Sequence, residues 1–283
     1  MKKYFLWGVI ASFVVIDPCL IGREFTDSIR SGIPEIVSAK AVAYSSEIPR
    51  KVWSEVKPYL IPDNNPLKER LDKICSCIRI LESYESLEKA GFNIIYKQLN
   101  RGLVVAKHPQ LPGYLVKLYL DSCARSEWPL WVLRAKGARI IQGLLNKYNY
   151  NKFMKVPVKW IYPLPKKKRP KADSTTFPKD FILLVKDLEL CGPEDTLEKL
   201  NKSMTFACLK ALHKIICMGG LSDSHVGNVP FSKDGRIAFI DTEYVNVWPV
   251  HLDWLTKYFS VPNQMHWKSF GACKLTKNVN DVR

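Results

Sequence analysis

With 283 residues, 47% of them hydrophobic, the chain is long enough to bury a substantial core, and this excludes a wholly disordered polypeptide. Its formal net charge of +16 favours anionic partners, whether nucleotide phosphates, nucleic acid, acidic proteins or an anionic membrane surface, and charge alone chooses among none of them. The eight cysteines are scattered through segments that read as core or helix, and Cys75 and Cys77 are spaced too closely for a metal knuckle. Buried or half-buried thiols are expected, with no disulfide framework.

The N-terminus carries Lys2 and Lys3 and then an uncharged apolar run from Tyr4 to Ile16, the shape of a signal-peptide n-region and h-region. The run is shorter than the roughly 20 residues of a membrane span. Small-residue cleavage patterns follow only at Ala39-Lys40-Ala41 and Ala41-Val42-Ala43. Residues 1–45 are therefore expected to be a leader or membrane-associated segment of an exported or membrane-contacting protein; a buried N-terminal helix in a cytoplasmic protein is the alternative. From Ala43 to Pro66, four prolines and the Asp63-Asn64-Asn65 cluster predict an extended connector. An amphipathic helix is expected over 67–87, from the spacing of Leu71, Ile74, Ile78 and Leu81, and it completes a region spanning 46–90.

Three strand-like segments follow, at 92–99, 103–107 and 114–120, separated by turn signals at Asn100-Arg101-Gly102 and at 109–113. A helix is predicted from Pro129 to about Tyr148, with apolar Trp131, Ala135, Ala138, Ile141, Leu144 and Leu145. Two more strands, at 155–162 and 181–185, flank a loop with the basic run Lys166 to Lys171, for which a solvated face is the ordinary explanation. Three strands, a helix and two strands build an antiparallel sheet with a helix on it, so residues 91–190 form one α+β unit. Residues 191–283 form a second, mainly helical one, opened by a helix over 205–218 that Gly219-Gly220 closes, with an aromatic-rich tail completing its core.

The chemistry lies in Leu221-Ser222-Asp223-Ser224-His225-Val226-Gly227-Asn228 and the following stretch that ends at Asp241. Two short strands around Lys233-Asp234-Gly235 make a hairpin, with Asn228 opening the first strand and Asp241 closing the second. Pairing brings an amide oxygen and a carboxylate to one open end, and both are donors suited to Mg²⁺. Asp223, on the loop leaving the helix, stands where it can face an acceptor hydroxyl as base or orienter.

Asp223-x-His225-x-Gly227-Asn228 with Asp241-x-Glu243 downstream resembles the catalytic and metal-binding loops of the protein-kinase-like superfamily, in the spelling of aminoglycoside phosphotransferases and choline kinases. The resemblance covers about residues 91–260 and implies a two-lobed kinase-like fold, an antiparallel sheet plus helix followed by a mainly helical lobe. It implies ATP and Mg²⁺ as cofactors and a protein or small-molecule hydroxyl as acceptor. By the same resemblance Lys117 reaches the nucleotide phosphates, Arg101 and Gly102 lie in the phosphate turn, Glu189 belongs to the nucleotide-binding hinge, Asn228 and Asp241 hold the metal, and Asp223 is catalytic. Departures accompany it. The phosphate turn has one glycine, the residue two before Asp223 is Leu221, and Asp121 and Glu127 are the only acids between Lys117 and Asp173, so Lys117 lacks a partner in the usual place. These departures keep a second reading open, a pseudokinase serving as a nucleotide-binding or interaction module. Nucleic-acid binding has only the charge behind it, since the basic residues are spread along the chain and no reader module is present.

Overall fold

The structure, a computed structural model, describes residues 48–99 and 102–273. The expected leader at 1–45 lies outside the described residues, as does Arg101. No helix among the described residues is long and apolar enough to cross a membrane.

The proline-rich connector is more ordered than its composition predicts. Pro49 precedes helix α1 (Arg50–Val56) and Pro58 sits in the first turn of a short 3-10 helix (Lys57–Tyr59), positions where a missing N–H costs nothing. Helix α2 (Pro66–Cys77) starts where the Asn65 side chain accepts from the Leu67 N–H. The single helix expected over 67–87 is two, because Ser83 and Ser86 form a reciprocal capping box that starts α3 (Tyr84–Lys89) afresh.

The sheet contains β1 (Asn93–Gln98), β2 (Leu103–Lys107), β3 (Tyr114–Tyr119), β5 (Lys159–Pro163) and β6 (Phe181–Lys186), in the order β1-β2-β3-β6-β5 with every neighbour antiparallel. The crossover from β3 to β5 carries helix α4 (Trp128–Lys147) and the short strand β4 (Met154–Lys155). One face of the sheet, with Val104, Val116, Leu118, Ile182 and Leu184, packs on α2 and α3. The other, with Leu103, Tyr119, Ile161, Leu183 and Val185, packs on Trp131 of α4. Lys117 pairs with Val105 and Leu183, and Lys159 with Val185, so strand alternation puts both lysines on the α4 side.

The strand expected over 155–162 divides around Pro157. Proline has no donor for a ladder, and β4 pairs in parallel with β7 (Ile237–Ala238) while β5 joins the sheet. The remainder is helical: α5 (Pro193–Lys202), α6 (Phe206–Gly219), α7 (Asp253–Thr256) and α8 (Val261–Ser269). Ile141 and Leu145 of α4, Leu209, Leu212 and Ile216 of α6, and Leu255, Phe259 and Trp267 from the aromatic tail share one core.

The cysteine expectation requires a correction. Cys217, in the last turn of α6, and Cys273, after α8, form a disulfide with Cα atoms 4.9 Å apart. Packing of α8 back onto α6 brings together positions separated by 56 residues, a proximity that cysteine spacing does not encode. Among the described residues, Cys75 and Cys208 are buried thiols, Cys123 and Cys191 are half-buried, and Cys77 is exposed.

Candidate functional site

Helix α6 ends on Gly220, whose left-handed φ of 54° closes the helix. A side chain there would also collide with the Trp248 ring, since a Cβ would stand 2.6 Å from it. The chain then enters the loop bearing Asp223. The expected hairpin forms as a sparse ladder rather than two full strands: Ser232 N–H donates to Arg236 O at 2.9 Å, Ala238 N–H to Pro230 O at 2.8 Å, and Ile240 N–H to Asn228 O at 3.1 Å. That last bond sets Asn228 beside the residue preceding Asp241.

Asn228 Nδ2 donates to the backbone oxygen of Asp223 at 2.8 Å and to its carboxylate at 2.9 Å. Its Oδ1, the atom a metal would use, makes no hydrogen bond among the described residues. The Asp223 side chain is 38% exposed, with Oδ1 3.7 Å from His225 Nε2. Gly227 N–H donates to His225 Nδ1, so the imidazole braces the loop by local hydrogen bonding.

Asp241, its side chain 27% exposed, borders the nearly enclosed Arg134 and Glu243. Its Oδ2 is 3.4 Å from Arg134 Nη2, and Oδ1 accepts from the Glu243 N–H. Arg134 gives both Nε, at 3.1 Å, and Nη2, at 2.8 Å, to Glu243 Oε2, while Nη1 is buried with no hydrogen-bond partner. Burial alone would raise the Asp241 pKa; Arg134, then Lys117 and Lys159, overcome it and hold the carboxyl well below the usual range.

Lys117 faces the same carboxylates, yet makes no hydrogen bond or ion pair among the described residues. Burial first, then Arg134, pushes its pKa down to about 8 against the opposing pull of Asp241 and Glu243. Lys159 is fully enclosed and donates to Ile240 O at 3.1 Å and Thr242 Oγ1 at 2.7 Å; burial, then Lys117, lowers its pKa well below the ordinary lysine value. Thr242 Oγ1 in turn donates to Arg134 O at 2.6 Å. Gly137 permits this docking, because a Cβ there would lie 2.0 Å from Thr242 O. The Asp241 segment is thus held against α4 from both sides.

The structure brings Lys117, Asn228 and Asp241 toward one region and ties Asp223 to Asn228. Gly102 lies in the β1–β2 turn with φ 65°, against Cys123. Glu189 is exposed, its carbonyl accepts from Lys233 N–H, and no contact joins it to the charge cluster. The two acids that follow Lys117 in sequence are committed elsewhere: Asp121 to Arg79, and Glu127 to the backbone N–H groups of Asp180 and Phe181.

Arg134, Lys159 and Glu243 are the residues whose contribution the spacing argument underrates. A signal for two of them exists. Arg134 falls three residues after Trp131 and four before Ala138, inside the apolar stripe of α4, and Lys159 alternates with Ile161 on a buried strand face. A charge within a buried stripe is costly and marks a paired or functional group.

No protein-family profile and no curated protein matches the chain. Among solved structures, the Rv3197–erythromycin complex from Mycobacterium tuberculosis matches at 13% identity and TM-score 0.30, over 71% of this chain and 56% of that one. An apo pseudokinase matches at 14% identity and TM-score 0.28, over 60% of this chain and 63% of that one. The likeness to either structure is weak at these scores, and the chain spans less than two thirds of each.

Proposed function

We propose that the chain is an ATP-dependent phosphotransferase of two-lobed, kinase-like architecture that acts on a hydroxyl of a protein or small molecule. The observation that carries this reading is Lys117: an ammonium without a hydrogen-bond partner, on the inner face of β3, opposite the Asp241 carboxylate. Lys117 is half-buried, so its ammonium has lost part of its hydration without gaining a protein partner, and nucleotide phosphates satisfy it.

Asn228 Oδ1 and Asp241 would hold Mg²⁺ as an amide and a carboxylate oxygen, donors of the type this ion takes. The ion, when bound, neutralises phosphate charge. Asp223 orients the acceptor hydroxyl and receives its proton, and Asn228 holds that carboxylate through Nδ2. Asp241→Asn is expected to lower Mg·ATP turnover far more than thermal stability; a loss of stability with unchanged ATP binding and turnover would remove Asp241 from the site.

One observation favours the alternative of a pseudokinase: α4 presents Arg134 to Asp241 rather than an acid to Lys117. ATP binding without phosphate release, autophosphorylation or transfer would select it. The Cys217–Cys273 disulfide supports export of the chain, because disulfides persist in oxidising compartments. Thiol alkylation of the protein from its native source, before and after reduction, tests this; two freely alkylated cysteines would refute it.

A further inference from the structure

We propose that Arg134 supplies at Asp241 much of the positive charge a metal would bring, so that nucleotide phosphates bind Lys117, in the field of Arg134, with little dependence on Mg²⁺. This rests on the nucleotide-binding reading above and adds to it a specific cation and a specific metal dependence.

The guanidinium already stands beside the ligand carboxylate, with Nη2 3.4 Å from Asp241 Oδ2. A divalent ion approaching that oxygen meets a fixed positive charge, which weakens its binding, whereas a phosphate meets a second cation besides Lys117 and gains. Arg134 is also only partly used. Its Nε and Nη2 share Glu243 Oε2, and Nη1 has no partner although it is buried. Nη1 is sealed from solvent in this arrangement, so Arg134 acts on an anion at Lys117 through its charge rather than by direct contact.

Nor can Arg134 swing clear at small cost. Its own carbonyl accepts from Thr242 Oγ1, Lys159 grips Ile240 O and Thr242 Oγ1, and the Gly137 backbone lies directly against Thr242. The helix and the Asp241 segment therefore move as one piece, and the two bonds to Glu243 Oε2 keep the guanidinium beside the carboxylates. The chemical class implied is a nucleoside polyphosphate, contacted by Lys117 within the field of Arg134.

The test is calorimetric titration of ATP into the full chain, once in excess EDTA and once in excess Mg²⁺. In the wild type, affinity should differ between the two conditions by less than about threefold. Arg134→Met alone leaves Glu243 buried without a partner, so the double substitution Arg134→Met/Glu243→Gln is titrated beside it, together with Arg134→Lys, which keeps the charge. The double variant should bind ATP in EDTA about tenfold or more weakly, with Mg²⁺ recovering most of the loss, while Arg134→Lys keeps the shallow metal dependence. Wild-type binding that requires Mg²⁺ would overturn the inference and leave the nucleotide reading standing, whatever the variants do. No ATP binding in either condition would overturn both.

Discussion

Arg79 and Arg134 are both nearly enclosed arginines facing a carboxylate, with side chains 9% and 5% exposed, but they are satisfied to different degrees. Arg79 gives Nε and Nη2 to the two oxygens of Asp121 at 2.9 and 2.7 Å and Nη2 again to Lys179 O; the Lys179 N–H returns a bond to Asp121. That cluster joins the segment between α2 and α3 to the end of β3 and the approach to β6. At Arg134 both donors fall on one oxygen of Glu243, Nη1 has no partner, and Lys117 stands unpaired beside it. A closed set of charges holds architecture in place, whereas an open set retains capacity for a ligand.

The comparison breaks most visibly at Asp121. Asp121→Ala strands the Arg79 guanidinium and should cost about 3–5 kcal/mol in urea denaturation, with ATP affinity of the folded protein unchanged. Lost affinity at unaltered stability would mean that the closed cluster, too, serves the ligand.

A smaller effect, confined to the open side, is expected at Asp223. Because a residue orienting the attacking hydroxyl acts mainly in the transition state, Asp223→Ala should reduce turnover by a factor on the order of 10² while nucleotide affinity stays nearly intact. Abolished binding in that variant would show that Asp223 contacts nucleotide rather than acceptor.

The smallest effect, and the sharpest in sign, belongs to Lys117. Lys117→Met should weaken ATP by about tenfold and leave stability equal or higher, because a half-buried ammonium crowded by Arg134 is removed. Its folded pKa of about 8 lies below the ordinary 10.5. The unfolded chain therefore holds the proton more tightly between those values, and wild-type stability should gain from this group as pH rises through that window; below pH 8 both states are protonated and the cost is fully present. ATP affinity should move the opposite way, falling as the folded lysine loses its charge near pH 8. Titrations of the wild type and Lys117→Met across this range check both signs, and identical profiles would remove the lysine from the site.

Much of the local architecture was legible. The sheet strands at 93–98, 103–107, 114–119 and 181–186 fall within a residue of their expected limits, since alternation and turn glycines act over a few neighbours. Helix breaks were harder to read: the Ser83 capping box interrupts an apolar periodicity that runs on past it, and Pro157 divides a segment of strand-like composition between two sheets. At the site, the spacing of Asp223, Asn228 and Asp241 was readable because one loop and one hairpin carry all three.

By itself, then, the sequence determined what nearest neighbours along the chain decide: the strand faces, the cap at Gly220, and the delivery of Asn228 and Asp241 to one hairpin end. The tertiary structure alone decided the company those residues keep. Arg134 meets Glu243 across 109 positions, Lys159 meets Thr242 across 83, and Cys217 meets Cys273 across 56. Such meetings depend on how α4 and α8 pack rather than on any local propensity. Packing is settled by burying whole apolar faces, and the charges carried on those faces must pair with whatever the packing sets before them.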